Sequence, residues 1–188
     1  MINTKLKQMK KLFIVPAMAL TLAFAACGGS GNTETTTQAE ETTAPATAEE
    51  NVVETVPGIE DVAIANDIVI HSSDQMKFDT ELLHVKAGEE VTVTLKNAGE
   101  LPKESMGHNF VVLASGVDPV SFGQEAASSN AEADFIPKTA LSSVIAHTKL
   151  LGPGEEDKIT FTLEKGVYTF ICSFPGHFGT MQGKIVAE

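Results

Sequence analysis

Apolar and polar positions alternate along most of the chain from Asp67 onward, and the alternation breaks at short intervals on Gly, Pro, Asn and Asp. The runs DIVIH (67–71), KFDTELLHVKAG (77–88), EVTVTLKNAG (90–99) and HNFVVLAS (108–115) read as strands. SSVIAHTKLL (142–151), DKITFTLE (157–164), GVYTFICS (166–173) and QGKIVAE (182–188) continue the series. Period-two patterning over stretches this short predicts an all-β domain, an antiparallel sandwich rather than alternating strand–helix units. One segment departs, VDPVSFGQEAASSNAEADFIP (117–137). Asp118 is placed to cap a short helical excursion there, and Pro137 ends it before the next strand.

The first part of the chain has a different pattern. MKKLFIVPAMALTLAFAAC runs from lysines through an apolar stretch to small residues before Cys27, which reads as a secretory signal over residues 1–26. The stretch is shorter than the ~20 apolar residues a membrane-spanning helix needs. Ala25-Ala26 before Cys27 resembles a lipoprotein cleavage box, although Phe24 stands where Leu is commonest. The expectation is a lipid on Cys27 that fastens the chain to a bacterial envelope membrane. Ordinary cleavage leaving a free thiol is the competing reading. Residues 27–62, rich in Thr, Ala and Glu and poor in large apolar side chains, read as a disordered tether. Residues 63–188 are then one domain.

Charge narrows the partners. The chain has thirteen lysines, no arginine and twenty-five acids, and four of the lysines precede Cys27. From Cys27 onward nine lysines face twenty-five acids, a formal charge of −16. Nucleic acid is excluded as a partner for such a surface. A positively charged protein would be steered toward it in a salt-dependent way.

The chemistry gathers near the C-terminus. FICSFPGHFGTM holds Cys172, His177 and Met181 around a Pro-Gly turn. A thiolate, an imidazole and a thioether are soft-to-borderline ligands, suited to copper more than to magnesium or calcium. A His₂Cys set with a long axial Met is a blue-copper arrangement, so a second histidine is required. His71 and His84 lie in strand-like runs and read as surface or packed histidines, and His147 has no soft residue near it. His108, in LPKESMGHNFVV, stands where an irregular loop meets a strand, a place that faces the end of a sandwich. A buried thiol beside a surface histidine and a core methionine is the plainer alternative. An unpaired thiol in a secreted chain, however, is a liability unless something holds it.

Three stretches, LPKESMGHNFV, VIAHTKLLGPGEEDKITF and CSFPGHFGTM, with DQMKF earlier, resemble azurin, a bacterial family of cupredoxins, over about residues 66–187. The resemblance implies a Greek-key sandwich of about eight strands with one copper ion, Cu(I)/Cu(II), at the end where loops converge. It implies His108, Cys172 and His177 as equatorial ligands, Met181 as the weak axial one and the Gly107 carbonyl as a distant fifth contact. Backbone N–H groups of Asn109 and Phe174 would point at the thiolate. Met106, Pro175, Gly176 and Phe178 would form an apolar patch around His177 for docking redox partners, such as c-type cytochromes or a reductase or oxidase. The implied function is single-electron transfer by a monomeric carrier, not an enzyme, with its domain in the periplasm or at the cell surface.

The chain also departs from that family. Asn66 stands at one cysteine position of the family's disulfide, Phe110 replaces a tryptophan, and Asn97 replaces a histidine that some azurins titrate near the copper. Two other functions compete with electron transfer. A copper-handling lipoprotein would favour an exposed, exchangeable site, and this pattern looks closed. A dinuclear copper subunit needs a second cysteine between 173 and 176, where there is none.

Overall fold

The computed structural model describes residues 56–188. The signal segment, Cys27 and the tether as far as residue 55 lie outside the described residues. A 3-10 turn at Ile59–Asp61 leads in, and Nδ1 of His84 donates to the Val62 carbonyl at 2.9 Å, so ordered contacts begin ahead of residue 63.

Nine strands follow in the described residues. They are β1 (Asp67–Ser73), β2 (Lys77–Phe78), β3 (Leu82–Val85), β4 (Glu90–Asn97) and β5 (Val111–Leu113), then β6 (Val144–His147), β7 (Glu156–Thr162), β8 (Gly166–Ile171) and β9 (Gln182–Ala187). They form two sheets, ordered β2-β1-β4-β7 and β3-β9-β8-β5-β6. Two helices stand outside the sheets, α1 (Lys103–Met106) and α2 (Pro119–Ala126). Among the described residues no helix is long and apolar enough to cross a membrane.

The sandwich expectation holds, with two differences. The run 77–88 is not one strand: it breaks at Asp79–Glu81, so β2 joins one sheet and β3 the other. The sheets are also not purely antiparallel, because β1 pairs parallel to β4 and β3 parallel to β9. Alternation reports which face a side chain takes and carries no information on strand direction. A parallel pair needs a long crossover, and the excursions into the opposite sheet supply it here.

Side chains between the sheets make the core. Val91, Val93 and Leu95 alternate inward along β4, and Ile70 joins them from β1. Phe78, Phe110 and Phe170 form an aromatic cluster, stacked between 110 and 170 at 4.7 Å and edge-on from Phe78 to both. Phe110, where azurins often have a tryptophan, is fully buried. Burying a Phe stabilises by about 1.5–3 kcal/mol relative to exposure, so this cluster anchors the end of the sandwich next to the site.

The 117–137 excursion contains α2, capped as its sequence predicts. The Asp118 carboxylate accepts from the Ser121 N–H at 2.8 Å, and Pro119 opens the helix. After Pro137 the chain makes a 3-10 segment, Lys138–Ser143, before the shorter strand β6. Phe122, Ala126, Ile136 and Ala140 pack with Val111, Leu113 and Ile171 in a second apolar cluster under this excursion.

Candidate metal centre

Two connections bring the site together. His108 lies between α1 and β5, held by a two-way backbone bridge to Leu151, with N–H to O distances of 3.0 and 2.7 Å. Gly107 before it has no room for a side chain: an added Cβ would lie 2.6 Å from the Lys103 carbonyl oxygen. Cys172 directly follows β8, and its N–H donates to the Met181 carbonyl at 2.9 Å. Between them the loop turns at Gly176, whose φ of 85° favours glycine. The His177 carbonyl then accepts from the N–H groups of Thr180 and Met181. The loop thus closes on itself before β9 begins.

All four expected donors are buried: Cys172 and His108 at 0% exposure, Met181 at 1% and His177 at 3%. Sγ of Cys172 lies 3.9 Å from Nδ1 of His108 and 3.6 Å from Nδ1 of His177. One ligand atom from each of the three residues falls within 4.8 Å of the other two. The histidine rings stand 5.0 Å apart, and the Phe174 ring packs 4.5 Å from His177. The other three histidines are elsewhere. His71 pairs with Asp79, His84 lies between Val62 and Glu188, and Nδ1 of His147 meets the Thr148 carbonyl.

Burial sets the protonation of this cluster. It pushes the Cys172 thiol up to about 12, while the Asn109 and Phe174 N–H groups that face the sulfur pull the other way. Burial lowers His177 to about 4, helped by the neighbouring His108, and burial also lowers His108. The Ser73 carbonyl and the Asp74 charge oppose that last shift, yet Nε2 of His108 finds no hydrogen-bond partner of good geometry. Both imidazoles are therefore neutral near pH 7, each with Nδ1 toward the sulfur.

One copper ion fits these residues. First-row metal bonds of ~2.0–2.3 Å to nitrogen and sulfur, spread roughly 120° apart, set neighbouring donors about 3.7 Å apart. The two sulfur–nitrogen separations match that spacing. Cys172 is the one free cysteine among the described residues, and its dry surroundings suit a metal-bound thiolate better than a free one.

The structure also shows side-chain links from Asn109 to Ser173 and Asp134 that sequence reasoning missed. Asn109 binds Ser173 twice, accepting from its N–H and donating to its Oγ, both at 2.8 Å. Nδ2 of Asn109 also donates to the Asp134 carbonyl at 2.7 Å, and the Asp134 carboxylate accepts from the Leu150 N–H at 2.7 Å. Asp134 and Phe135 both sit at positive φ, 52° and 55°, an uncommon pair for residues with side chains. That turn delivers the Phe135 ring edge-on to Phe174 at 5.1 Å. The signal available in the sequence was only Asp134 at the end of an irregular stretch.

The expected docking collar is uneven. Gly176 is exposed, and Pro175 and Met106 are half-buried. Phe178 is half-buried as well, and it packs against the α2 cluster.

Comparison with known proteins agrees with the geometry. Residues 65–188 match the model for copper binding proteins of the plastocyanin/azurin family. The chain is 40% identical over 124 residues to the azurin of Pseudomonas aeruginosa, covering 63% of this chain and 82% of that protein. It is 43% identical over 121 residues to outer membrane protein H.8 of Neisseria gonorrhoeae, covering 62% of this chain and 64% of that one. The solved azurin Az-iso2 of Methylomonas sp. strain J superposes with a TM-score of 0.60 at 34% identity, covering 66% of this chain and 98% of the azurin. Reduced auracyanin of Roseiflexus castenholzii gives 0.59 at 32%, covering 67% and 99%. A buried His-Cys-His cluster beside a buried methionine, at the loop end of a two-sheet sandwich, is thus what a family match would require, and the chain belongs to the plastocyanin/azurin family of copper-binding proteins.

Proposed function

We propose that this protein is a single-electron carrier, with Nδ1 of His108, Sγ of Cys172 and Nδ1 of His177 as the equatorial copper ligands. Met181 would add its thioether to the donor set, and the Gly107 carbonyl would be a more distant contact. The observation that carries this reading is the preassembly of three buried donors at 3.6 and 3.9 Å separations. Copper held there supplies one-electron chemistry between Cu(I) and Cu(II). The protein's part is to keep the donors in one arrangement, exclude water and aim two N–H groups at the sulfur. Four protein donors leave no position for a substrate, so the reading is a carrier and not an enzyme.

Electrons would pass through the edge of His177, with Met106, Pro175, Gly176 and the half-buried Phe178 as the apolar contact for redox proteins such as c-type cytochromes or a reductase or oxidase. A small contact of this kind suits a brief encounter. A lipid on Cys27 holds the protein to a bacterial envelope membrane, with the domain in the periplasm or at the cell surface. The likeness to a protein named for the outer membrane supports that placement.

The test is spectroscopic. Copper-loaded protein is expected to be intensely blue through charge transfer from the Cys172 thiolate, with Cys172→Ser colourless and His147→Ala unchanged. A serine variant that stays equally blue would overturn the ligand assignment. Acyl mass on a peptide beginning at Cys27 tests the anchor, and an unmodified N-terminus would reject it.

A further inference from the structure

Gly123, in the middle of α2, is buried, and its bare Cα faces the ring of Phe178. A Cβ built on Gly123 would lie 2.6 Å from Cδ2 of Phe178 and nearer still to Cγ, the root of the ring. The ring cannot evade such an atom by swinging its far end, so Phe178 as a whole would have to move. Glycine inside a helix is less stable than alanine would be, which calls for a packing reason, and this seat is one. Phe178 is half-buried, packed against the apolar cluster that includes Phe122, Ala126, Ile136 and Ile171.

Phe178 is also the residue directly after His177, in the turn closed by the His177 carbonyl. A side chain wedged on one side of that turn fixes the backbone from which the His177 imidazole projects. The other end of the excursion meets the same loop through the Phe135 ring on Phe174, and the His108 segment through the Asp134 carbonyl on Asn109. We propose that Phe178, seated on Gly123, is a positioning residue for His177, and that α2 serves as a brace for the copper site. This rests on His177 being a copper ligand. Its value for electron transfer is that a braced histidine has little freedom to rearrange when the charge on copper changes.

The test is a double-mutant cycle in the full-length protein, with Gly123→Ala, Phe178→Ala and the pair together. Gly123→Ala is expected to move the His177 ring signals in nuclear magnetic resonance of metal-free protein, leaving those of His71 unchanged. With copper, the blue band and the electron-spin-resonance splitting shift, and a chelator removes copper about tenfold more readily, as overpacking near a site implies. The double variant behaves like Phe178→Ala alone, because the added methyl then meets no ring. Unchanged His177 signals and copper spectrum in Gly123→Ala, or effects that simply add in the pair, would overturn the proposal. If Gly123→Ala does not fold, Phe178→Ala decides alone: sharp, unshifted His177 signals and a wild-type spectrum would reject the brace. The metal-free resonances score the seat independently of copper, whereas a wild-type protein without the blue band would reject the ligand assignment instead.

Discussion

Asn109 and Ser173 each follow a histidine or cysteine of the site directly in sequence, and two 2.8 Å hydrogen bonds join them across 64 residues of chain. The pair therefore locks the His108 segment to the Cys172 segment one residue away from each donor. A third bond from the same amide reaches the Asp134 carbonyl at 2.7 Å. Replacing Asn109 by Leu keeps the volume but strands the Ser173 N–H in a dry place. The expected cost is about 1–3 kcal/mol in urea unfolding of the metal-free protein. Full stability in that variant would show that the amide links do not hold the loops together.

Copper binding is expected to release a proton. With the Cys172 thiol pushed up to about 12 and His177 lowered to about 4, the thiol is protonated and that imidazole neutral throughout the neutral range. Binding of Cu(II) then displaces one proton, from sulfur, so apparent affinity rises about tenfold per pH unit between about pH 6 and 9. Competition against a chelator across that range measures the slope. A slope near zero would place the thiolate already formed in the metal-free protein.

The metal-free protein should lose stability in acid for the opposite reason. His177 binds its proton near pH 4 when folded and near 6.5 when unfolded, so protons favour the unfolded chain below about pH 6.5. This contribution is complete above pH 6.5 and is lost as pH falls toward about 4. His108 shifts in the same direction through burial. Melting temperature measured at intervals from pH 7 to 4 is expected to fall, and to fall less in His177→Gln. An equal fall in both proteins would locate the acid sensitivity elsewhere.

Reduction potential, in contrast, is expected to stay nearly flat between about pH 5.5 and 8, the span around an ordinary histidine. Asn97 is buried where some azurins carry a titrating histidine, and its amide donates to the Leu151 carbonyl at 3.2 Å. That carbonyl also takes the His108 N–H, so the position touches the site through an uncharged group. Voltammetry across the span checks this, and Asn97→His is expected to introduce a sigmoidal fall as pH rises. A step already present in the native protein would implicate another histidine.

Much of this was legible from residue patterns. The donors could be chosen because soft side chains cluster at 172, 177 and 181, and because His108 sits at a loop–strand boundary. Asp118-Pro119 announced α2 through cap chemistry that acts within one turn. What escaped was set by tertiary packing. The break at Asp79–Glu81, which sends β2 and β3 to different sheets, follows from sheet closure and leaves no mark on local alternation. The left-handed pair Asp134-Phe135 is held by bonds to residues distant in sequence. The packing of Phe178 on α2 escaped because its partner is a glycine, which offers no side chain to reveal a contact.

The burial that raises the Cys172 thiol has a further effect, on its reactivity. At pH 7 a thiol titrating near 12 exists as thiolate on the order of one part in 10⁵, and thiolate is the form that attacks disulfides and alkylating reagents. With the sulfur also fully enclosed, Cys172 in the metal-free protein is slow to form mixed disulfides. Ahead of its metal the described cysteine is thus kept chemically quiet, by the same dry pocket that is proposed to make it a copper ligand.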